Sequence, residues 1–129
     1  MKLSRLRSSK DVLKKDLGDP EFRAEWERTA LARAIASQVI AYRVEHGLSQ
    51  TALAKRLGMK QPAVARLEAG EVTPSIETLQ RLVPVLDTEI VIDLAPPERE
   101  PKLVTRRAQT SSAVEKIEAE NYRLLIAAG

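Results

Sequence analysis

The chain contains no cysteine. That excludes disulfides, thiolate metal sites and cysteine nucleophiles, and it permits a reducing compartment. Its one histidine, His46, stands beside Gly47 at the end of a helical pattern, where an exposed loop residue is expected. One histidine without cysteine supports neither a metal site nor a hydrolytic triad. The Asp and Glu residues form no ordered pair, so neither an enzyme nor a bound cofactor is expected. Phe22, Trp26, Tyr42 and Tyr122 are all the aromatics, so any core must be aliphatic and rich in alanine. No stretch approaches the roughly 20 apolar residues of a membrane span. The opening MKLSRLRSSK is basic, but no apolar run follows it as in a signal peptide. A cytoplasmic, nucleoid-associated protein without a membrane partner is the expectation.

What is present is charge, unevenly placed. The 129 residues suit one domain plus tails. Lys and Arg number 21 against 18 Asp and Glu, a net charge of +3, and the isoelectric point of about 9.4 weakly favours a polyanionic partner. Between Leu48 and Leu67 the ionised side chains are Lys55, Arg56, Lys60 and Arg66, all positive. Glu71, Glu77, Asp87, Glu89 and Asp93 lie beyond them. A chain sorted in this way has a preferred face for an anion.

Capping residues divide the chain. The pattern predicts a short helix near 9–17, ended by Gly18. Asp19 can N-cap a helix that has Pro20 and Glu21 in its first turn. From there to His46 almost nothing breaks a helix, and Ile35, Val39 and Tyr42 give it one buried stripe. Ser49 can cap a helix over 50–57. Gly58 suits a left-handed turn, and a helix over about 61–69 follows with Pro62 in its first turn. Thr73 or Ser75 opens a further helix carrying Ile76, Leu79 and Leu82, with Pro84 near its end. In TEIVIDL, Ile90, Ile92 and Leu94 alternate with Val91, as in a strand. APPEREP reads as a stiff linker and 102–111 as disordered. Ser112 with Glu115 resembles a capping box, opening a last helix over 113–127.

A glycine-hinged pair of short helices with charge of one sign suits docking on phosphates. The stretch LSQTALAKRLGMKQPAVARLEAGEVTPSIETLQRL resembles the Cro/cI-like (XRE) helix-turn-helix family, with Gln50, Ala54, Leu57, Gly58, Gln61, Val64, Leu67, Glu68 and Gly70 in register. DPEFRAEWERTALARAI and TEIVIDL are similar to HigA-type antitoxins. The fold implied is mainly α: a lambda-repressor-like helix-turn-helix bundle. Residues 1–30 form an N-terminal helical extension, 31–87 the DNA-binding domain, 88–95 a strand, and 96–129 a linker and helical tail.

The resemblance implies DNA contacts from Gln50 to a phosphate, and from Gln61, Ala63 and Arg66 to base edges. A Gln amide suits adenine, an Arg guanine and an Ala a thymine methyl. Lys60 stands where the family prefers Ser or Thr, and Pro62 where it prefers a polar residue; Lys60, like Lys55 and Arg56, could reach a phosphate instead. Arg43 and Glu68 match an ion pair of the family. The resemblance further implies a sequence-specific repressor of its own operon and a RelE-like (HigB-like) RNase toxin as partner. The open alternatives are a stand-alone XRE-type regulator and a protein-interaction module that kept the fold without DNA binding.

RNA-binding toxins present basic surfaces. Asp19, Glu21, Phe22, Glu25 and Trp26 are therefore the expected toxin contacts, with Phe22 and Trp26 alternatively capping the chain's own core. The strand has no second strand in this reading. Ile90, Val91, Ile92 and Leu94 are expected to pair with their own copies in a homodimer.

Overall fold

The computed structural model describes residues 15–100 and 113–129. Most of the helix expected near 9–17, the disorder expected over 102–111 and the cap expected at Ser112 lie outside the described residues. Five helices follow in order: α1 Pro20–Arg28, α2 Ala30–Glu45, α3 Gln50–Leu57, α4 Gln61–Ala69 and α5 Ile76–Leu86. Three strands complete the described chain: β1 Ile90–Ala95, β2 Ala113–Glu118 and β3 Arg123–Ala128.

The caps fall where side-chain chemistry places them. Asp19, Ser49 and Ser75 each stand in extended conformation and accept a backbone N–H from the first turn that follows. Lys60 holds the N-cap position of α4 with no side-chain bond, since an ammonium cannot accept one. The expected continuous helix from Pro20 to His46 is two helices. Thr29 breaks it: its hydroxyl donates to the carbonyls of Glu25 and Trp26 (3.0 and 3.3 Å) and takes a hydrogen bond from Arg33 (2.8 Å). Such local side-chain bonds compete with the helical ladder.

The described core has two clusters built on α2 and a smaller third within the sheet, where Val91 packs on Leu125 and Ala127. Ile35 and Val39 meet Leu53, Ala54 and Leu57 of α3, Val64 and Leu67 of α4, and Leu79 and Leu82 of α5. At the other end, Ala30 and Ala34 pack on Ile117 and Ile126 of the sheet, with Trp26 against them. Small side chains let α2 approach closely on both sides. Gly70, at φ +67°, ends α4 so near α2 that an added Cβ would lie 3.4 Å from that of Ala36. Only glycine adopts that backbone at no cost.

The largest correction concerns the C-terminus. The expected helix over 113–127 is the β2–β3 hairpin, and the strand order is β1-β3-β2, all antiparallel. β1 is therefore not a lone strand: its register with β3 runs from Ile90↔Ala128 to Ala95↔Arg123. A sheet forms here because Ala30 and Ala34 of α2 are small enough to receive Ile117 and Ile126 against them. β3, the central strand, is buried along nearly its whole length. A short apolar run such as LLIAA fits a buried strand as well as a helix, and periodicity alone cannot separate the two.

Backbone alternation fixes which edges are open. Glu89 and Gly129 exchange N–H···O bonds at 3.2 and 3.1 Å. In an antiparallel ladder the hydrogen-bonded pairs alternate, so Val91, Asp93 and Ala95 face β3, and Ile90, Ile92 and Leu94 point their N–H and C=O groups outward. By the same count, Ala113, Glu115 and Ile117 face β3, which the Ala119 N–H bond to the Tyr122 carbonyl (3.0 Å) continues. Val114, Lys116 and Glu118 then point their backbone groups outward.

Candidate nucleic-acid interface

The α3–α4 unit is held from behind and its outer face left to solvent. Leu53, Ala54, Leu57, Val64 and Leu67 are buried in the first cluster. Gly58 turns the chain at φ +65°, and its carbonyl accepts a hydrogen bond from Arg81 of α5 at 2.7 Å. Lys55, Arg56, Lys60, Gln61 and Arg66 are exposed; Gln50 and Ala63 are half-buried. Neither α3 nor α4 has an acidic residue in its first turn, so the positive ends of their dipoles are not neutralised there.

Two residue pairs singled out by the sequence meet in space. Gln61 Nε2 donates to Gln50 Oε1 at 2.8 Å, joining the starts of the two helices. Each amide keeps capacity for another partner, Gln50 through its N–H groups and Gln61 through its remaining N–H and its oxygen. Arg43 Nε and Nη2 donate to the two Glu68 oxygens at 2.8 and 2.9 Å, a bidentate pair in which the Glu68 side chain is 8% exposed. The hydrogen bonds to Glu68 hold the Arg43 pKa above its usual value, against the desolvation that lowers it. Arg43 Nη1 also donates to the Leu48 carbonyl, so one guanidinium ties α2 to the loop before α3 and to α4. Glu68→Ala is expected to lower the melting temperature by stranding a partly buried charge. In Arg43→Ala, Glu68→Ala and the double variant, measured together, the double variant should lose less than the sum; full additivity would reduce the pair to a surface contact.

Three arginines carry structural roles that sequence spacing does not announce. Arg81 clamps the turn. Arg33 lies 3.6 Å above the Trp26 ring and also bonds Glu115 of β2. Arg123, its side chain 5% exposed, pairs with Asp93 across β1 and β3 at 3.0 Å. Each joins elements far apart in the chain, and a single sequence holds no local signal for such partners. Arg56 donates to the Tyr42 hydroxyl at 3.0 Å, so one of the expected phosphate contacts already has a partner within the fold.

Two short helices joined by a left-handed turn at Gly58, with a buried rear and an uncarboxylated front, define a helix-turn-helix protein. The family model described as "Helix-turn-helix" matches residues 39–92. The chain belongs to this XRE-type family of DNA-binding transcriptional regulators. It is 37% identical over 79 residues to "Antitoxin HigA1" of two Mycobacterium tuberculosis strains (CDC 1551 / Oshkosh and ATCC 25618 / H37Rv), covering 61% of this chain and 53% of each relative. It is 35% identical over 68 residues to an "Uncharacterized HTH-type transcriptional regulator" of Haemophilus influenzae, covering 53% of this chain and 69% of that one. The chain spans about half the length of the mycobacterial relatives. No solved structure matches it significantly. Among the described residues, no helix is long and apolar enough to cross a membrane.

Proposed function

We propose that the protein is a cytoplasmic, non-enzymatic repressor that binds its own operator as a homodimer and neutralises a RelE-like RNase toxin encoded beside it. The observation that carries the DNA half is the α3–α4 face, with Lys55, Lys60, Gln61 and Arg66 exposed and no carboxylate between residues 49 and 67. In this reading Gln61, Ala63 and Arg66 read base edges, and Gln50 and Lys60 hold phosphates.

The open edge of β1 supports the homodimer. Ile92 and Leu94 are 41% and 68% exposed, and Ile76, Leu79, Gln80 and Val83 of α5 form an uncharged groove beside Ile90 and Ile92. An apolar, self-complementary edge suits a second copy about a two-fold axis. Val91 has the weaker claim of the expected dimer contacts, because it packs on Leu125 and Ala127 within its own sheet.

The antitoxin half is supported by the mycobacterial relatives and by the acidic α1. Asp19, Glu21 and Glu25 lie exposed on it, and Phe22 stacks on Trp26 with ring centroids 6.3 Å apart. Trp26 also packs against the sheet cluster, so truncation before Thr29 would open the core and is a poor test. Growth is the better readout. Inducing the neighbouring reading frame should arrest cells, and co-expressing this chain should restore them. Phe22→Ala combined with Glu21→Lys should reduce that rescue without lowering operator affinity. A neighbouring product that is harmless would favour the second reading, a stand-alone regulator, which the Haemophilus relative's name supports.

A further inference from the structure

Among the described residues the sheet has two open edges, and their surroundings differ in chemistry. Beside β1 the groove is uncharged. Beside β2 lies a groove of roughly 400 Å³ whose floor is Leu17, Trp26 and Ile117. Its rims carry two ion pairs, Arg23–Glu27 on α1 at 3.0 Å and Lys116–Glu118 on β2 at 3.1 Å. Lys116, Ile117 and Glu118 are consecutive in a strand and their side chains alternate faces, so all three border one groove only if it runs along the strand's edge. Val114, Lys116 and Glu118 point their N–H and C=O groups to that side. No described backbone group receives them.

Among the described residues, the segments flanking this edge have the opposite sign to the DNA face. Residues 15–28 hold five carboxylates and three basic side chains, residues 113–122 hold three and one, and Arg33 on Glu115 adds one more cation, which still leaves the carboxylates in excess. Two copies meeting here would bring like charge together, which disfavours a second copy. Trp26 supplies an aromatic surface among the groove's lining residues, and buried aromatics commonly carry much of the binding energy.

We propose that the outer edge of β2 is a strand-addition site for an extended basic segment of a partner protein, which pairs with the backbone of Val114, Lys116 and Glu118 and lays an apolar side chain on Trp26 and Ile117. Main-chain bonds supply the register and the α1 groove supplies the specificity. Lysines or arginines of the segment exchange with Arg23 and Lys116 for the carboxylates on the rims. The partner's identity rests on the antitoxin reading. This site lies on the opposite edge of the sheet from the dimer edge, so both can be occupied in one assembly.

The test uses the full chain and the purified product of the neighbouring reading frame. Amide hydrogen exchange of Val114, Lys116 and Glu118 should be fast in the free protein and strongly slowed in the complex. Lys116→Pro removes an N–H that the β2–β3 ladder does not use. It should weaken the complex about tenfold or more, through one lost ladder bond and the clash of the ring with the incoming strand, and leave operator affinity unchanged. Amides that stay fast in a complex that does form would overturn the site while the antitoxin reading stands. Slow exchange in the free protein at every concentration would show the edge already taken by this chain, and slowing that grows with its own concentration would show a second copy there. Either result overturns the proposal. Failure to form any complex would overturn the antitoxin reading and the site with it.

Discussion

Ile92→Pro is expected to turn the protein into a monomer and to lower its operator affinity by about a hundredfold or more, because linked binding to two half-sites commonly adds 10²–10⁴ in affinity. The substitution is selective for a physical reason. The Ile92 N–H points away from β3, as the Glu89–Gly129 bond pair dictates, so proline removes no bond from the internal ladder. What it blocks is pairing along the outer edge. A dimer built on that edge would present two recognition helices to half-sites about one helical turn apart. Sedimentation at micromolar concentration and a gel shift on the same samples check both halves. A wild-type protein that sediments as a monomer, or a variant that remains dimeric and binds normally, would remove β1 from the interface.

Gln61→Ala and Arg66→Ala are expected to fold normally and to cost roughly 1–3 kcal/mol each in specific binding, the value of a good base contact, and more in a dimer, where each change occurs twice. Both side chains are exposed and neither supports the core. Gln50→Ala differs in kind: loss of a phosphate contact weakens all sequences alike. The 2.8 Å bond from Gln61 to Gln50 adds a second effect, because without Gln50 the Gln61 amide is no longer oriented. Gln50→Ala should therefore also lose part of the preference for operator, and the double variant Gln50→Ala/Gln61→Ala should show less than additive loss. Titration of operator and scrambled duplex with each variant measures this. Unchanged operator preference in both Gln61→Ala and Arg66→Ala would dismiss those positions as readers.

How much of this was legible in the sequence depended on how local the cause was. Asp19, Ser49 and Ser75 are caps because of bonds to residues two or three positions on, and Gly58 and Gly70 are turns because of their own φ. Such features can be read from a single chain. Arg43 and Glu68 lie 25 residues apart, and only the family resemblance joined them before their 2.8 and 2.9 Å bonds did. The hairpin is not legible locally because AVEKIE and RLLIAA contain good helix formers, and their pairing depends on the alanines of α2, roughly 80 to 100 residues earlier in the chain. Strand preference is largely a matter of fit to a packed surface, and that surface is not adjacent in sequence. The break at Thr29 is not legible either, because one threonine rarely ends a helix; here Arg33 and the carbonyls of Glu25 and Trp26 converge on it.

The central claim is that the carboxylate-free face of α3 and α4 reads a specific duplex. Its most direct test is the affinity of the full protein for the DNA upstream of its own reading frame and for a scrambled duplex of equal length, each measured across a salt series. The account predicts preference for the upstream DNA by about 10³ or more at physiological salt, with both affinities falling steeply and linearly in log–log form as phosphate-bound counterions are released. Equal affinity for the two duplexes, or binding insensitive to salt, would contradict it.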